Sequence, residues 1–282
     1  MKNRWKLVMA LLLSAGVANA AYVTIGNAGN ANDTSGYGGV SYSYKISDHE
    51  VTIAEFTASG AGDGDEGYWN ETANGRTVGT AAPASYVSLY EARQYCNYLT
   101  TGDVDSGYYG AGGNNMSALS HLAYATANGA TYFVPTEDEW YKAAYYTGSG
   151  YSDYANGDDV ADGAPTEGGG STGWNYNFVN SSPNYTRDVT LGTDEQNGTV
   201  NMMGNVWEWM EDSAGVIRGG CCYNNESYLR SSYRYADNPS AEYHRVGFRP
   251  VEVVPEPATM GLLGIGGAIV FLSRLKRRFY SL

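Results

Sequence analysis

Cysteine is scarce in this chain, with three residues among 282. Two of them, Cys221 and Cys222, are neighbours, and a bridge between adjacent residues is strained and uncommon. The third, Cys96, falls in an amphipathic segment and is expected to be a buried apolar residue. The sequence therefore predicts no disulfide framework.

Histidine is equally scarce, and the positions are His49, His121 and His244. None of them is paired in H-x-x-H or H-x-D/E spacing, so the sequence does not favour a two-His-one-carboxylate iron site. The Gly-x-Ser-x-Gly elbow of many serine hydrolases is missing as well. These absences argue against two common kinds of catalytic centre.

Basic residues are few: 17 Lys and Arg stand against 30 Asp and Glu. No acidic residue lies in 1–20 or 258–282, whereas seven basic residues do. The region between them therefore holds 10 basic and 30 acidic residues, a net charge of −20. Such a surface repels nucleic acid and anionic lipid, which excludes both as partners. It attracts divalent cations, and it also suits a protein that must stay soluble after export.

The N-terminus has the pattern of a secretory signal peptide. Lys2, Arg4 and Lys6 precede an apolar run from Leu7 to Val17, and Ala18–Ala20 offers a small-residue cleavage site. Residues 1–20 are therefore predicted to be removed by signal peptidase, and 21–39 form an approach to the main domain. A buried N-terminal helix is the alternative.

The C-terminal region, 252–282, contains Pro255, Glu256 and Pro257, then the apolar segment Ala258–Leu272 and a basic tail. Its 15 apolar residues fall short of the ~20 that span a bilayer. This order resembles the PEP-CTERM sorting signal, which implies recognition and cleavage by an exosortase. A plain C-terminal anchor is the alternative. We expect an envelope or extracellular location, with membrane contact only through this segment before processing.

A strand followed by a turn into a helix is predicted over 40–56, and two further helices can be predicted from capping boxes. Residues 87–99 have helical periodicity with Ser88 as the N-cap and Glu91 as its capping-box partner, and Thr136 with Glu139 forms a second capping box after a strand over 132–134. The carboxylates at 137–139 suit the first turn of a helix, so we expect capping rather than catalysis from them.

The stretch Asn201–Trp209 reads NMMGNVWEW, a Gly-Asn turn beside two tryptophans and a carboxylate, and it looks too irregular for an ordinary helix or strand. Other blocks follow the same order as in one known family: HEVT at 49–52, the YC-containing helix at 86–99, VPTEDEW at 134–140, and RGG, LRSSYR and GFR at 218–220, 229–234 and 247–249. Over residues 40–251 the chain resembles the formylglycine-generating enzyme, or sulfatase-modifying factor, family. The resemblance implies a compact α+β fold of low regularity, related to C-type lectins.

The family resemblance also implies structural calcium. The matching ligands of one site are Asn201, Gly204, Val206 and Glu208, with Gly204 and Val206 acting through their carbonyl oxygens. A second site maps less cleanly, onto Asn177, Phe178 and Asp188. The alternative for Glu208 is a buried ion pair with Arg218 or Arg249.

Copper chemistry is where the chain departs from the family. The enzymes bind Cu(I) through two cysteines five residues apart, and the matching positions here are Asn224 and Leu229, neither of which supplies a thiolate. Cys221 and Cys222 occupy positions usually held by Ser and Trp. In an extended segment their side chains are expected to point apart.

The sequence therefore favours an exported, non-catalytic domain with a binding or structural role and no copper. Its expected ligand is a saccharide or a peptide, held by Tyr223, Asn224, Asn225, Tyr228 and Tyr235. The alternative is a copper- and oxygen-dependent formylglycine-generating oxidase that uses Cys221 and Cys222 on a cysteine of a sulfatase-type substrate.

Overall fold

The structure is a computed structural model that describes residues 20–62, 79, 81–180, 185–212 and 214–255. The predicted signal peptide up to residue 19 and the predicted sorting signal after Pro255 lie outside these ranges. Within them, no helix is both long and apolar enough to cross a bilayer.

Four α-helices lie within the described ranges, and each begins at a Ser or Thr whose hydroxyl accepts a backbone N–H of the first turn. They are α1 (Ile53–Ser59), α2 (Leu89–Thr101), α3 (His121–Asn128) and α4 (Glu137–Tyr145). Short 3₁₀ turns cover Ala111–Gly113, Val160–Asp162 and Glu226–Leu229.

The two predicted capping boxes are confirmed. Ser88 caps α2 with Glu91 as its partner, and Thr136 caps α4 with Glu139. Helix α2 begins two residues later than predicted, because Ser88 itself stays extended as the cap, and it ends two residues later, before the left-handed Gly102. Helix α3 was not predicted from the sequence.

The strands are short and form two four-stranded sheets. The first contains β1 (Tyr22–Ile25), β2 (Tyr44–Ser47), β3 (Thr131–Phe133) and β8 (Val251–Val253), in the order β1-β2-β8-β3 with antiparallel pairing throughout. The second contains β4 (Trp207–Trp209), β5 (Val216–Arg218), β6 (Tyr235–Ala236) and β7 (Val246–Gly247), in the order β6-β5-β4-β7. In this sheet β4 and β7 run parallel.

Strand β4 corrects one expectation, since Trp207–Trp209 is a regular strand after all. All three of its residues are buried, so both of its faces are covered. The core around it is rich in large aromatic side chains whose polar atoms are satisfied: the Trp209 indole N–H donates to the Val87 carbonyl at 2.7 Å, and the Tyr145 hydroxyl donates to Leu229 at 3.0 Å. The α+β fold class is confirmed.

Candidate functional site

The turn before β4 depends on left-handed backbone. Asn201, Gly204 and Asn205 have φ values of 61°, 82° and 58°. A Cβ placed on Gly204 would lie 2.4 Å from the Asn175 carbonyl oxygen, so only glycine fits there. The turn is thereby pressed closely against the backbone at Asn175.

Glu208 leaves this turn and enters a buried ion pair. Its carboxylate accepts hydrogen bonds from Arg249 Nε at 2.8 Å and Nη2 at 2.7 Å, and from the Trp140 indole N–H at 2.8 Å. The Glu208 and Arg249 side chains are 1% and 0% exposed, so the pair is removed from solvent. Of the two alternatives for Glu208, the structure therefore has the ion pair with Arg249, whereas Arg218 pairs with Glu137.

Asn201, the other predicted side-chain ligand of calcium, also faces a guanidinium group. Its Oδ1 accepts from Arg187 Nε at 3.1 Å and Nη2 at 2.5 Å, and its amide nitrogen donates to Glu50 at 3.3 Å. Asn205 donates to the other Glu50 oxygen at 2.9 Å. Burial, and to a lesser extent Glu208, raises the pKa of Glu50 to about 8 against the opposing effect of Arg249.

These residues do not fit a calcium ion as arranged. Calcium takes six to eight oxygen ligands, and both side-chain donors of the predicted set are in contact with a guanidinium group that a cation would have to displace. Among the described residues, Asn175 Oδ1 is a buried oxygen without a hydrogen-bond partner beside this turn, and one such oxygen does not make a site. No cluster of three or more His, Cys, Asp or Glu side chains in the described ranges is placed to hold a metal.

The residues of the second predicted calcium set have separate contacts. Asn177 and Phe178 both have left-handed backbone, with φ of 52° and 58°, and the Asn177 amide donates to Glu167 at 2.8 Å. Asp188 is exposed and its Oδ1 lies by Gly79. No hydrogen bond within the described ranges joins Asp188 to Asn177 or Phe178. Calcium at these residues stays a prediction.

The two positions that hold copper cysteines in the family have other roles here. Asn224 Oδ1 accepts the backbone N–H of Cys221 at 2.9 Å, which pins a tight turn. Leu229 is fully buried in the core. Neither side chain can bind Cu(I), because the soft ion needs thiolate or thioether sulfur.

The backbone at Cys221 and Cys222 is not the extended segment that was expected. The backbone N–H of Asn224 donates to the Cys221 carbonyl at 2.9 Å, so the chain turns here rather than extending. The Cys222 side chain lowers the pKa of the Cys221 thiol as a hydrogen-bond partner. Both residues are buried.

The residues predicted to bind a ligand fall into two aromatic clusters. In the first, the Tyr228 ring lies 4.5 Å from Tyr233 and 6.3 Å from Trp207, and Tyr235 is 47% exposed beside them. In the second, Tyr223 contacts rings of residues that the sequence did not assign to this surface, at 5.2 Å, 4.9 Å and 5.5 Å: Phe178, Tyr185 and His244. We call these two clusters together the aromatic surface.

The aromatic surface exposes aromatic rings to solvent, whereas the amide oxygens of its asparagines are hydrogen-bonded within the protein. Phe178 is 55% exposed although it is apolar and held in a left-handed conformation. By contrast, Asn225 Oδ1 accepts the N–H and hydroxyl of Ser227, and it caps the 3₁₀ turn Glu226–Leu229. The amide oxygens of Asn224 and Asn225 are therefore engaged by the local backbone.

A buried polar network around His121 was missed from the sequence. Its Nδ1 lies 3.1 Å from both Glu139 oxygens, and its Nε2 lies 2.9 Å from Glu211 Oε1. Tyr42 and Tyr109 donate their hydroxyls to the two carboxylates at 2.6 Å and 3.1 Å. Burial alone would lower the pKa of His121, but Glu139 and Glu211 raise it to about 10. The ring is therefore an imidazolium between two carboxylates, and Glu139 does more than cap α4.

Residues 28–254 match the family described as the sulfatase-modifying factor enzyme 1-like domain, and the chain belongs to this family. Residues 253–278 match the PEP-CTERM protein-sorting motif. The motif indicates an exported, envelope-associated protein and implies processing by an exosortase. Comparison with curated proteins returned no match.

Three solved structures have a similar fold. Treponema denticola variable protein 1 is 19% identical with a TM-score of 0.57, over 82% of this chain and 94% of that one. CarF is 18% identical with a TM-score of 0.54, over 85% and 99%. PvdO from Pseudomonas aeruginosa is 18% identical with a TM-score of 0.50, over 83% and 92%. At these identities the likeness concerns the fold alone.

Proposed function

We propose that this chain is an exported binding module of the sulfatase-modifying factor fold, which holds a saccharide or a peptide on its aromatic surface and performs no copper chemistry. The observation that carries the proposal is the identity of the two residues at the copper-binding positions, Asn224 and Leu229. A buried leucine and a turn-forming asparagine cannot activate oxygen through Cu(I).

The aromatic surface supports a binding role. Exposed rings lose apolar hydration when a ligand stacks on them, and they pay little conformational entropy because a tyrosine has only two side-chain torsions. Tyr235 and Phe178 are among the most exposed large apolar side chains of the described ranges. Phe178 also bears the cost of a left-handed backbone, about 1–2 kcal/mol for a non-glycine residue. Strain that exposes an aromatic ring is typical of a functional position.

The test is a binding screen with the full chain against an array of saccharides and a peptide library. For a ligand found there, we expect Tyr228→Ala and Tyr235→Ala each to weaken binding about tenfold, since one stacked ring contributes on the order of 1.4 kcal/mol. Tyr98→Ala, on α2 outside the aromatic surface, serves as the matched control and should leave affinity unchanged. Equal losses in all three variants would mean that the effect is general destabilisation.

The alternative function is a formylglycine-generating oxidase that uses Cys221 and Cys222. It requires oxygen consumption with a sulfatase-type cysteine peptide and stoichiometric Cu(I). We expect neither. Turnover that disappears in both Cys221→Ser and Cys222→Ser, with the fold intact, would establish the oxidase and overturn the binding proposal.

A further inference from the structure

Cys221 and Cys222 begin a turn that fixes their backbone on several sides. The Cys222 N–H donates to the Asn205 carbonyl at 3.1 Å, and the Cys222 carbonyl accepts from Phe178 N–H at 2.8 Å. Asn224 closes the turn through its side chain and its backbone N–H, both at 2.9 Å from Cys221 atoms. The surrounding chain therefore fixes the backbone of the two adjacent cysteines on several sides.

The environment of Cys221 favours its thiolate. The hydrogen bond from the Cys222 thiol lowers the pKa of Cys221 against the opposing effect of burial, and the backbone N–H groups of Tyr223 and Asn224 and the charge of Arg245 act in the same direction. Cys96 is the reverse case, since burial raises its pKa well above the usual range. Thiolate character is what makes a cysteine attack a disulfide, so the two sites should differ in reactivity.

We propose that Cys221 and Cys222 form a reversible vicinal disulfide, a redox modification site formed by exchange with a disulfide-containing oxidant of the oxidising compartment to which the chain is exported. The Cys221 thiolate attacks a sulfur of the oxidant's disulfide and forms a mixed disulfide, while the displaced sulfur leaves as a thiolate. The Cys222 thiol then loses its proton and attacks Cys221 Sγ, which releases the second thiolate. The two cysteines give up two electrons and two protons, and the oxidant ends as a dithiol.

The disulfide is expected to be labile because of its geometry. Adjacent Cα atoms are about 3.8 Å apart across a trans peptide. Ordinary disulfides join Cα atoms about 4.4–6.8 Å apart, so the bridge is strained and easily reduced. Strained disulfides have higher reduction potentials and are the ones that exchange readily. Both cysteines are buried, so the exchange requires the turn to open locally, and its residues Tyr223 and Asn224 are half-exposed.

The test uses the wild-type full chain equilibrated with mixtures of reduced and oxidised glutathione, followed by acid quenching, alkylation and peptide mass analysis. In the oxidising mixtures we expect the peptide that contains both residues to lose the mass of two hydrogens and to resist alkylation. Reduced glutathione should reverse this change. In the fully reduced native protein, Cys221 should be alkylated at least about tenfold faster than the internal reference Cys96.

Two outcomes would overturn the proposal: both thiols remaining alkylatable in the most oxidising mixture, or oxidation that yields only bridges between chains. Cys96→Ser is the control variant and should keep the intrachain change. Cys222→Ser should stop at the mixed disulfide with glutathione on Cys221, and an unmodified Cys221 in that variant would contradict the order of attack. The wild-type measurement decides the question even where a variant fails to fold.

Discussion

His121→Leu should strongly destabilise the domain. The imidazolium lies between two carboxylates that are largely shielded from solvent, so water could not replace it as their partner. The Glu139 side chain is 0% exposed and that of Glu211 10%. Removing one partner of a buried ion pair costs about 3–5 kcal/mol, since the remaining charge stays buried and unpaired. For a domain of this size the midpoint of thermal unfolding should fall by roughly 10 °C.

The assay is urea unfolding followed by tryptophan fluorescence at several pH values. His244→Leu is the matched control, since His244 is half-buried and contacts aromatic rings at Tyr86 and Tyr223, and a loss below about 1 kcal/mol is expected there. An unchanged urea m-value would show that the change lies in stability and not in the compactness of the unfolded chain.

The pH dependence separates the charge of His121 from its packing. The folded-state pKa of His121 is raised to about 10 from 6.5, so its contribution is complete below pH 6.5 and is lost as pH rises toward 10. The difference in unfolding free energy between wild type and His121→Leu should therefore shrink between pH 6.5 and 10. A loss below about 1 kcal/mol at pH 6.5, or a difference independent of pH, would refute the reasoning.

Three further predictions concern the turn before β4. Arg249→Lys keeps the charge but loses the two-pronged contact with Glu208, so unfolding free energy should fall by about 2–4 kcal/mol in a urea titration, and Arg249→Met by at least as much. Because guanidinium groups engage Asn201 and Glu208, millimolar Ca²⁺ or EDTA should shift the thermal midpoint by less than about 1 °C, whereas a rise of several degrees with Ca²⁺ would restore the calcium prediction. Gly204→Ala should cost about 2 kcal/mol or more, since its Cβ would press on the Asn175 carbonyl at a left-handed position, and a neutral result in the same titration would show that the turn can move.

Local chemistry could be predicted from the sequence. The capping boxes at Ser88 and Thr136 involve residues three positions apart, so the pattern that encodes them is visible in a short window. The fold class could be predicted because the sequence blocks over 40–251 occur in the same order as in the family. In contrast, the partners of His121 lie 18 and 90 residues away, and no periodicity connects them. Only the three-dimensional fold brings them together.

The scarcity of basic residues is a further signal in the sequence. The region 21–257 has only 10 basic residues, yet Arg93, Arg187, Arg218 and Arg249 are all buried. A buried arginine is rare without a partner, so each scarce cation in an acidic chain points to a specific internal acceptor. Arg187, which contacts Asn201, was missed because nothing near it in the sequence marks it as internal.

The position of β8 in the first sheet bears on how the domain resists mechanical load. The sorting motif matches from residue 253 onward, so tension on the C-terminal tail enters the domain through Val251–Val253. This strand is flanked on both sides, by β2 and by β3, and β2 is paired in turn with the N-terminal strand β1. A pull along the tail must therefore break two ladders at once, whereas an edge strand would peel from one. Trp207 and Tyr235 of the aromatic surface lie on β4 and β6 of the other sheet, which the tail does not enter.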